Sequence, residues 1–113
     1  MISKELYEEV QKDYIDFKNI TQDEYITIFN KEEETVEYVN KHTWYEADSI
    51  SIHKLAHKCK EWAYNNSYTL RSQLKVCYCR FPIHNDIEEK IFKADTELEA
   101  IFKACQWILD NKN

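Results

Sequence analysis

The sequence predicts an α+β domain, an antiparallel sheet with helices packed on one face, in the order α-β-β-β-α-β-β-α. Three observations carry this. Residues 49–65 and 96–110 space their apolar side chains at helical intervals. The stretches before and between them alternate, or are rich in β-branched and aromatic residues, as half-buried strands are. Finally, the chain has no glycine and one proline, Pro82, where average usage would give roughly eight glycines. That absence removes the glycine loops of the nucleotide-binding motifs, and helical stripes flanking alternating strands define the α+β class.

Residues 2–18 read as an amphipathic helix, with Ile2, Leu6, Val10, Tyr14 and Phe17 at steps of four, four, four and three. Ser3 is the expected N-cap, and Ile2 is placed to staple onto Tyr7. Asp13 and Asp16 oppose the helix dipole, so the last turn is expected to fray. Residues 21–34 carry two signals. Thr21-Gln22-Asp23-Glu24 fits a capping box, but Tyr25-Ile26-Thr27-Ile28-Phe29 favours a strand, which we expect at 25–29. Asn30 to Glu34 would be its turn. Thr35–Val39 and His42–Glu46 then suggest a hairpin about Asn40-Lys41, with Glu37 facing Trp44 and Val36 facing Tyr45.

The helix at 49–65 buries Ile52, Leu55, Ala56, Cys59, Trp62 and Ala63, with Asp48 or Ser49 as cap and Asn65-Asn66 as left-handed exit. Tyr68 to Phe81 reads as one long strand. Tyr68, Leu70, Leu74, Val76 and Tyr78 lie on its apolar face, and Arg71, Gln73, Lys75, Cys77 and Cys79 on the other. Pro82 ends it, His84-Asn85-Asp86 turns, and Ile87–Lys93 returns. Thr96-Glu97-Leu98-Glu99 opens the closing helix, whose stripe is Leu98, Ile101, Cys105, Ile108 and Leu109. No internal repeat or linker is visible, and the 113 residues read as one domain, 1–113.

The missing glycines exclude whole classes of function. Dinucleotide loops, phosphate loops and nucleophile elbows need positive φ or close backbone approach to a ligand. No cofactor is expected. His53 and His57, one helical turn apart, could hold zinc with Cys77 and Cys79. The histidines sit at the margin of their helix stripe, however, and both cysteines are expected to point away from the helices, so no metal is expected. A catalytic thiol at Cys77 or Cys79 lacks a positioned base nearby, and no enzyme activity is expected. Without a secretory signal the four cysteines are expected to be free thiols and the protein cytoplasmic, and no apolar run is long enough for a membrane.

Charge is distributed unevenly within a net −6. Residues 1–49 carry 5 basic and 13 acidic side chains, whereas 50–113 carry 10 and 8. The leading expectation is a small acidic intracellular binding protein acting through protein–protein contacts. Asp13, Asp16, Asp23, Glu24, Glu32, Glu33 and Glu34 are the candidate contact residues, and they could act as a copy of a phosphate array against a DNA- or RNA-binding machine. The competing class is a weak nucleic-acid binder through Arg71, Lys75, Arg80, Lys90 and Lys93, with Arg71, Lys75 and Lys93 sharing a solvent face with Phe81.

Two stretches carry a family likeness. Ile52-His53-Lys54-Leu55-Ala56-His57-Lys58-Cys59-Lys60-Glu61-Trp62-Ala63 and Thr96-Glu97-Leu98-Glu99-Ala100-Ile101-Phe102-Lys103-Ala104-Cys105-Gln106-Trp107-Ile108-Leu109 resemble small bacterial and prophage proteins with a helix, two strands and a closing helix. The resemblance spans about residues 44–111 and lies in helix faces. It implies a possible phage origin and transfers no site residues.

Overall fold

The computed structural model describes residues 1–112. The fold class is the one expected, with three helices and two antiparallel three-stranded sheets. Helix α1 (Lys4–Gln11) leads through two single-turn 3₁₀ segments to β1 (Tyr25–Asn30), β2 (Thr35–Asn40) and β3 (Glu46–Ser51). Helix α2 (Ile52–Asn65) leads to β4 (Thr69–Gln73), β5 (Val76–Ile83) and β6 (Asp86–Lys93), and α3 (Glu97–Asn111) closes the chain. Both sheets are meanders, β1-β2-β3 and β4-β5-β6. A helix followed by a three-strand meander therefore occurs twice, a repeat of architecture with no counterpart in sequence.

The first helix is shorter than its apolar spacing suggests. Ser3 caps it as expected, its hydroxyl accepting from Leu6 N at 3.1 Å. It ends at Gln11, before Asp13 and Asp16, whose charges disfavour a helix C-terminus. Asp16 instead caps the first 3₁₀ turn, accepting from Lys18 N at 3.0 Å. Both signals in 21–34 are realised in succession: Gln22–Glu24 is a 3₁₀ turn and Tyr25–Asn30 a strand.

Two expected boundaries move. The hairpin about Asn40-Lys41 is a six-residue strand, a longer loop, and β3, so Val36 pairs with Ile50 and Glu37 with Ser49. Trp44 and Tyr45 thus lie in the loop, not opposite Glu37 and Val36. Helix α2 starts at Ile52 with Ser51 at its N-cap, because 46–51 is strand. Asp48 is taken by α1, where Tyr7 Oη donates to it and Gln11 Nε2 donates at 3.3 Å. The left-handed exit of α2 falls on Ser67 (φ 71°), while Asn66 donates to Trp62 O at 2.8 Å.

The stretch 68–81 is two strands. A two-residue turn, Leu74-Lys75, folds β4 back on β5 with Leu70 opposite Cys79 and Ser72 opposite Cys77. Across such a turn the inward set switches from even to odd numbers. Cys77 and Cys79, expected to point away from the helices, are therefore fully buried beneath α2 and α3 with Cys59 and Cys105. Strand β5 also continues through Pro82, which is tolerated because it lies beyond the end of β4.

One buried cluster joins all three helices to both sheets. At its N-terminal end Tyr38 is stacked between Tyr7 (centroids 5.4 Å, planes 7° apart) and Tyr25 (5.0 Å, 7°), with Phe17 edge-on at 5.5 Å. At the other end Trp107 gathers Tyr68, Phe81 and Phe92 within 6.0 Å.

Among the described residues five hold positive φ: Glu34, Trp44, Ser67, Leu74 and His84. Each stands at a corner where glycine would be least strained. Leu74 (φ 49°) is 82% exposed, so burial of its side chain offsets little of that strain. Leu74→Gly is expected to stabilise the protein by about 0.5–1 kcal/mol, the left-handed penalty less glycine's extra entropy. Thermal melting checks this, and an unchanged or lower Tm would mean the turn carries no such penalty.

Candidate functional site

The loop between β2 and β3 is built around Asn40. Its side-chain Oδ1 accepts from His42 N at 2.9 Å and Thr43 N at 3.0 Å. Its backbone N–H donates to Tyr45 O at 2.9 Å, and its carbonyl accepts from Trp44 N at 2.8 Å. Thr43 Oγ1 accepts from Tyr45 N at 3.3 Å, and Lys41 N donates to Glu24 O at 2.8 Å, tying the loop to the 3₁₀ turn before β1. An asparagine that bonds its own following backbone replaces the glycine such a turn usually uses.

This hydrogen-bonded loop turns two large aromatic residues outward. Trp44, with φ 62°, is 65% exposed and Tyr45 is 78% exposed. Aromatic residues held outward by an ordered backbone lose little conformational entropy on contact, and they are enriched among residues that dominate binding energy. The sequence hint is Asn40 two and three residues before His42 and Thr43, the spacing of an Asx turn. It was masked by reading Asn40-Lys41 as a two-residue hairpin.

The seven acidic candidates divide between the two ends of β1. Asp13, Asp16 and Asp23 line one recess together with Lys12, Lys18, Tyr14 and Phe17. Asp23 and Glu24 stand at the Asn40 end of the sheet, where Tyr25 pairs with Asn40. Glu32, Glu33 and Glu34 form the β1–β2 turn at the other end, roughly 17–20 Å away along a six-residue strand. There Asn30 Oδ1 accepts from Glu32 N and Glu33 N, the Glu34 carbonyl accepts from Ile52 N at 2.8 Å, and the Glu34 carboxylate meets His53 at 3.2 Å. The aromatic loop lies beside the first acidic group and away from the second.

The histidines and cysteines are kept apart. His53 pairs with Glu34 and His57 with Glu61, both on the surface, whereas the four thiols lie in the core. Burial pushes the Cys77 and Cys79 thiols up to about 12, with neighbouring thiols adding to the effect. Cys105 is raised by its side-chain hydrogen bond with the Cys59 thiol and by burial, and its Sγ also donates to the Cys59 carbonyl at 3.6 Å. These thiols pack as small apolar groups, with little thiolate at neutral pH. No group of three or more metal-binding side chains converges among the described residues.

The basic residues of the second sheet are also divided. Arg71, Arg80 and Lys93 lie on its open face, where their neighbour is Tyr78, with the Arg71 guanidinium 5.2 Å from its ring centroid. Phe81 faces the opposite way, onto Tyr68 and Trp107, because the turn at Leu74-Lys75 reverses the alternation. Lys90 lies on the inner side, 5.2 Å from the Trp107 ring, and Lys75 is in the turn. Arg80 Nε is 3.6 Å from Glu89.

Comparison of the chain with protein-family models, curated proteins and solved structures found no match. No helix among the described residues is long and apolar enough to cross a membrane. Structurally, the molecule is a helix-bridged pair of antiparallel sheets that presents an ordered aromatic loop with an acidic flank.

Proposed function

We propose that this protein is a non-enzymatic binding protein that engages another protein through the β2–β3 loop. The observation that carries the reading is the outward display of Trp44 and Tyr45 on a backbone fixed by its own hydrogen bonds. The two aromatics supply the apolar anchor, and Asp23, Glu24 and Glu46 supply an acidic rim. A partner surface with an apolar pocket and a basic border complements this pattern, and association would be faster at low salt. Nucleic-acid phosphates recur at short regular intervals. The separation of Asp23 and Glu24 from Glu32, Glu33 and Glu34 favours the aromatic anchor as the primary contact.

Photo-crosslinking tests this in the cell that makes the protein. A photoreactive phenylalanine analogue at Tyr45 is expected to trap one discrete protein. The same analogue at Tyr64, which is 71% exposed on α2, should not. Trp44→Ala is expected to weaken that complex roughly tenfold or more, as loss of an aromatic anchor does. Equal trapping at both positions, or binding that ignores Trp44→Ala, would sink the proposal.

A further inference from the structure

The free edge of β6 is self-complementary, and we infer that it pairs antiparallel with β6 of a second copy, joining two three-stranded sheets into one of six strands. The inference is independent of the aromatic loop and rests on other residues. Strand order leaves β6 at an edge, and seven of its eight residues are exposed, Phe92 being the exception. Among them Ile87 and Ile91 are 63% and 52% exposed.

Backbone alternation decides which groups are free. The turn His84-Asn85 closes on the pair Ile83–Asp86, and a two-residue turn closes on a hydrogen-bonded pair. Asp86, Glu88, Lys90 and Phe92 therefore bond to β5, while Ile87, Glu89 and Ile91 direct their N–H and C=O groups to the free edge, where the Ile87 N–H donates to Asp86 Oδ1 at 2.8 Å until an incoming carbonyl replaces it. Pro82 fits this alternation, since it sits opposite Ile87, where β5 donates no N–H to β6.

A two-fold pairing requires that residue i meet j and j meet i. With Glu89 at the centre, Ile87 meets the partner's Ile91 on the open face, and Glu88 meets the partner's Lys90 on the helix side, each twice. Glu89 meets the partner's Glu89, and each carboxylate lies beside its own Arg80 at 3.6 Å. Moving the register by two residues loses both the isoleucine and the Glu88–Lys90 matches. In one direction Glu88 meets its own copy, Ile87 meets Glu89 and Ile91 meets Asn85, with Asp86–Lys90 as the one opposite-charge pair gained. In the other Lys90 meets its own copy, Ile87 meets Lys93 and Ile91 meets Glu89. A shift by one puts opposite faces together. Lys103 Nζ donates to Lys93 O at 3.0 Å, which ends the free edge just past this segment. Charges on edge strands commonly block pairing. Here acidic residues come first and lysines last, an order that antiparallel self-pairing neutralises.

Sedimentation velocity from about 1 to 100 µM, a range suited to a modest interface, is expected to show a species of twice the 13.7 kDa chain mass. Glu88→Lys alone and Lys90→Glu alone should each weaken association roughly tenfold or more, because two pairs become repulsive. Combining the two substitutions should restore it, since opposite charges then meet again across the two-fold axis. Glu89→Cys should form an intermolecular disulfide on mild oxidation, and Ile91→Cys should not, because Ile91 does not meet itself. Circular dichroism confirms that each variant is folded. A monomer throughout the range overturns the inference. So does a dimer that is indifferent to both charge reversals, or one that the Glu89→Cys variant does not cross-link.

Discussion

Tyr38→Ala is expected to lower the unfolding free energy by about 3–5 kcal/mol, the range for removing a large buried aromatic. A typical domain has only about 5–15 kcal/mol in total, so the variant should be close to unfolding at physiological temperature. Tyr38 has no exposed surface and is enclosed by Tyr7, Tyr25 and Phe17. Its hydroxyl donates to Glu8 Oε1 at 2.7 Å. The ring joins β2 to α1, β1 and the first 3₁₀ turn at once. Tyr38→Phe keeps the stack and removes only the hydroxyl, and should cost about 1 kcal/mol. Urea unfolding separates the two. A Tyr38→Ala loss below about 1 kcal/mol would show that the stack is not what holds the first sheet to the helices.

Alkaline unfolding is the second large effect. In the unfolded chain the Cys77 and Cys79 thiols lose their protons near pH 9, but in the folded chain burial holds them to about 12. Tyr7 and Tyr38 are raised in the same direction, first by burial and then by hydrogen bonds to Asp48 and Glu8. Between the two pKa values the unfolded state binds fewer protons than the folded state. Stability is therefore fully present below pH 9 and falls as pH rises through this window. At pH 11 each thiol would contribute a loss on the order of 2–3 kcal/mol, at about 1.36 kcal/mol per unit. Cooperative unfolding is expected between about pH 10 and 12, and Cys77→Ala/Cys79→Ala should flatten the decline from about pH 9 to 10, before tyrosine titration begins. A pH titration followed by near-ultraviolet dichroism checks both, and an unaltered decline in the double variant would dissociate the thiols from it.

The helix faces were legible because each rests on one local period. Leu55, Ala56, Cys59, Trp62 and Ala63 of α2, and Ile101, Cys105 and Ile108 of α3, are buried as their spacing predicts. Thr96 caps α3 through Glu99 N at 3.1 Å, as its capping box predicts. What misled was the corners. Leu74 and Lys75 have no turn chemistry, so 68–81 read as one strand, and a single missed reversal misplaced Cys77, Cys79 and Phe81 together. Asp48 had the composition of a cap, but a distant residue, Tyr7, claims it. The aromatic loop was hidden for the same reason, since Asn40 looked like the end of a hairpin until its side chain was seen bonding residues 42 and 43.

Glycine-free corners also alter what the chain gives up on folding. A glycine samples far more backbone conformations when unfolded than any other residue, and replacing one at a compatible site stabilises a protein by about 0.4–1 kcal/mol. A chain with no glycine therefore starts from a narrower denatured ensemble than one with roughly eight. The left-handed backbone at Glu34, Trp44, Ser67, Leu74 and His84 opposes that gain at about 1–2 kcal/mol each. The two terms are of similar size. Chain-wide the balance is near even, while each bend itself keeps a net cost of about 0.5–1 kcal/mol, the quantity that Leu74→Gly would recover, and carries a side chain where glycine would carry none.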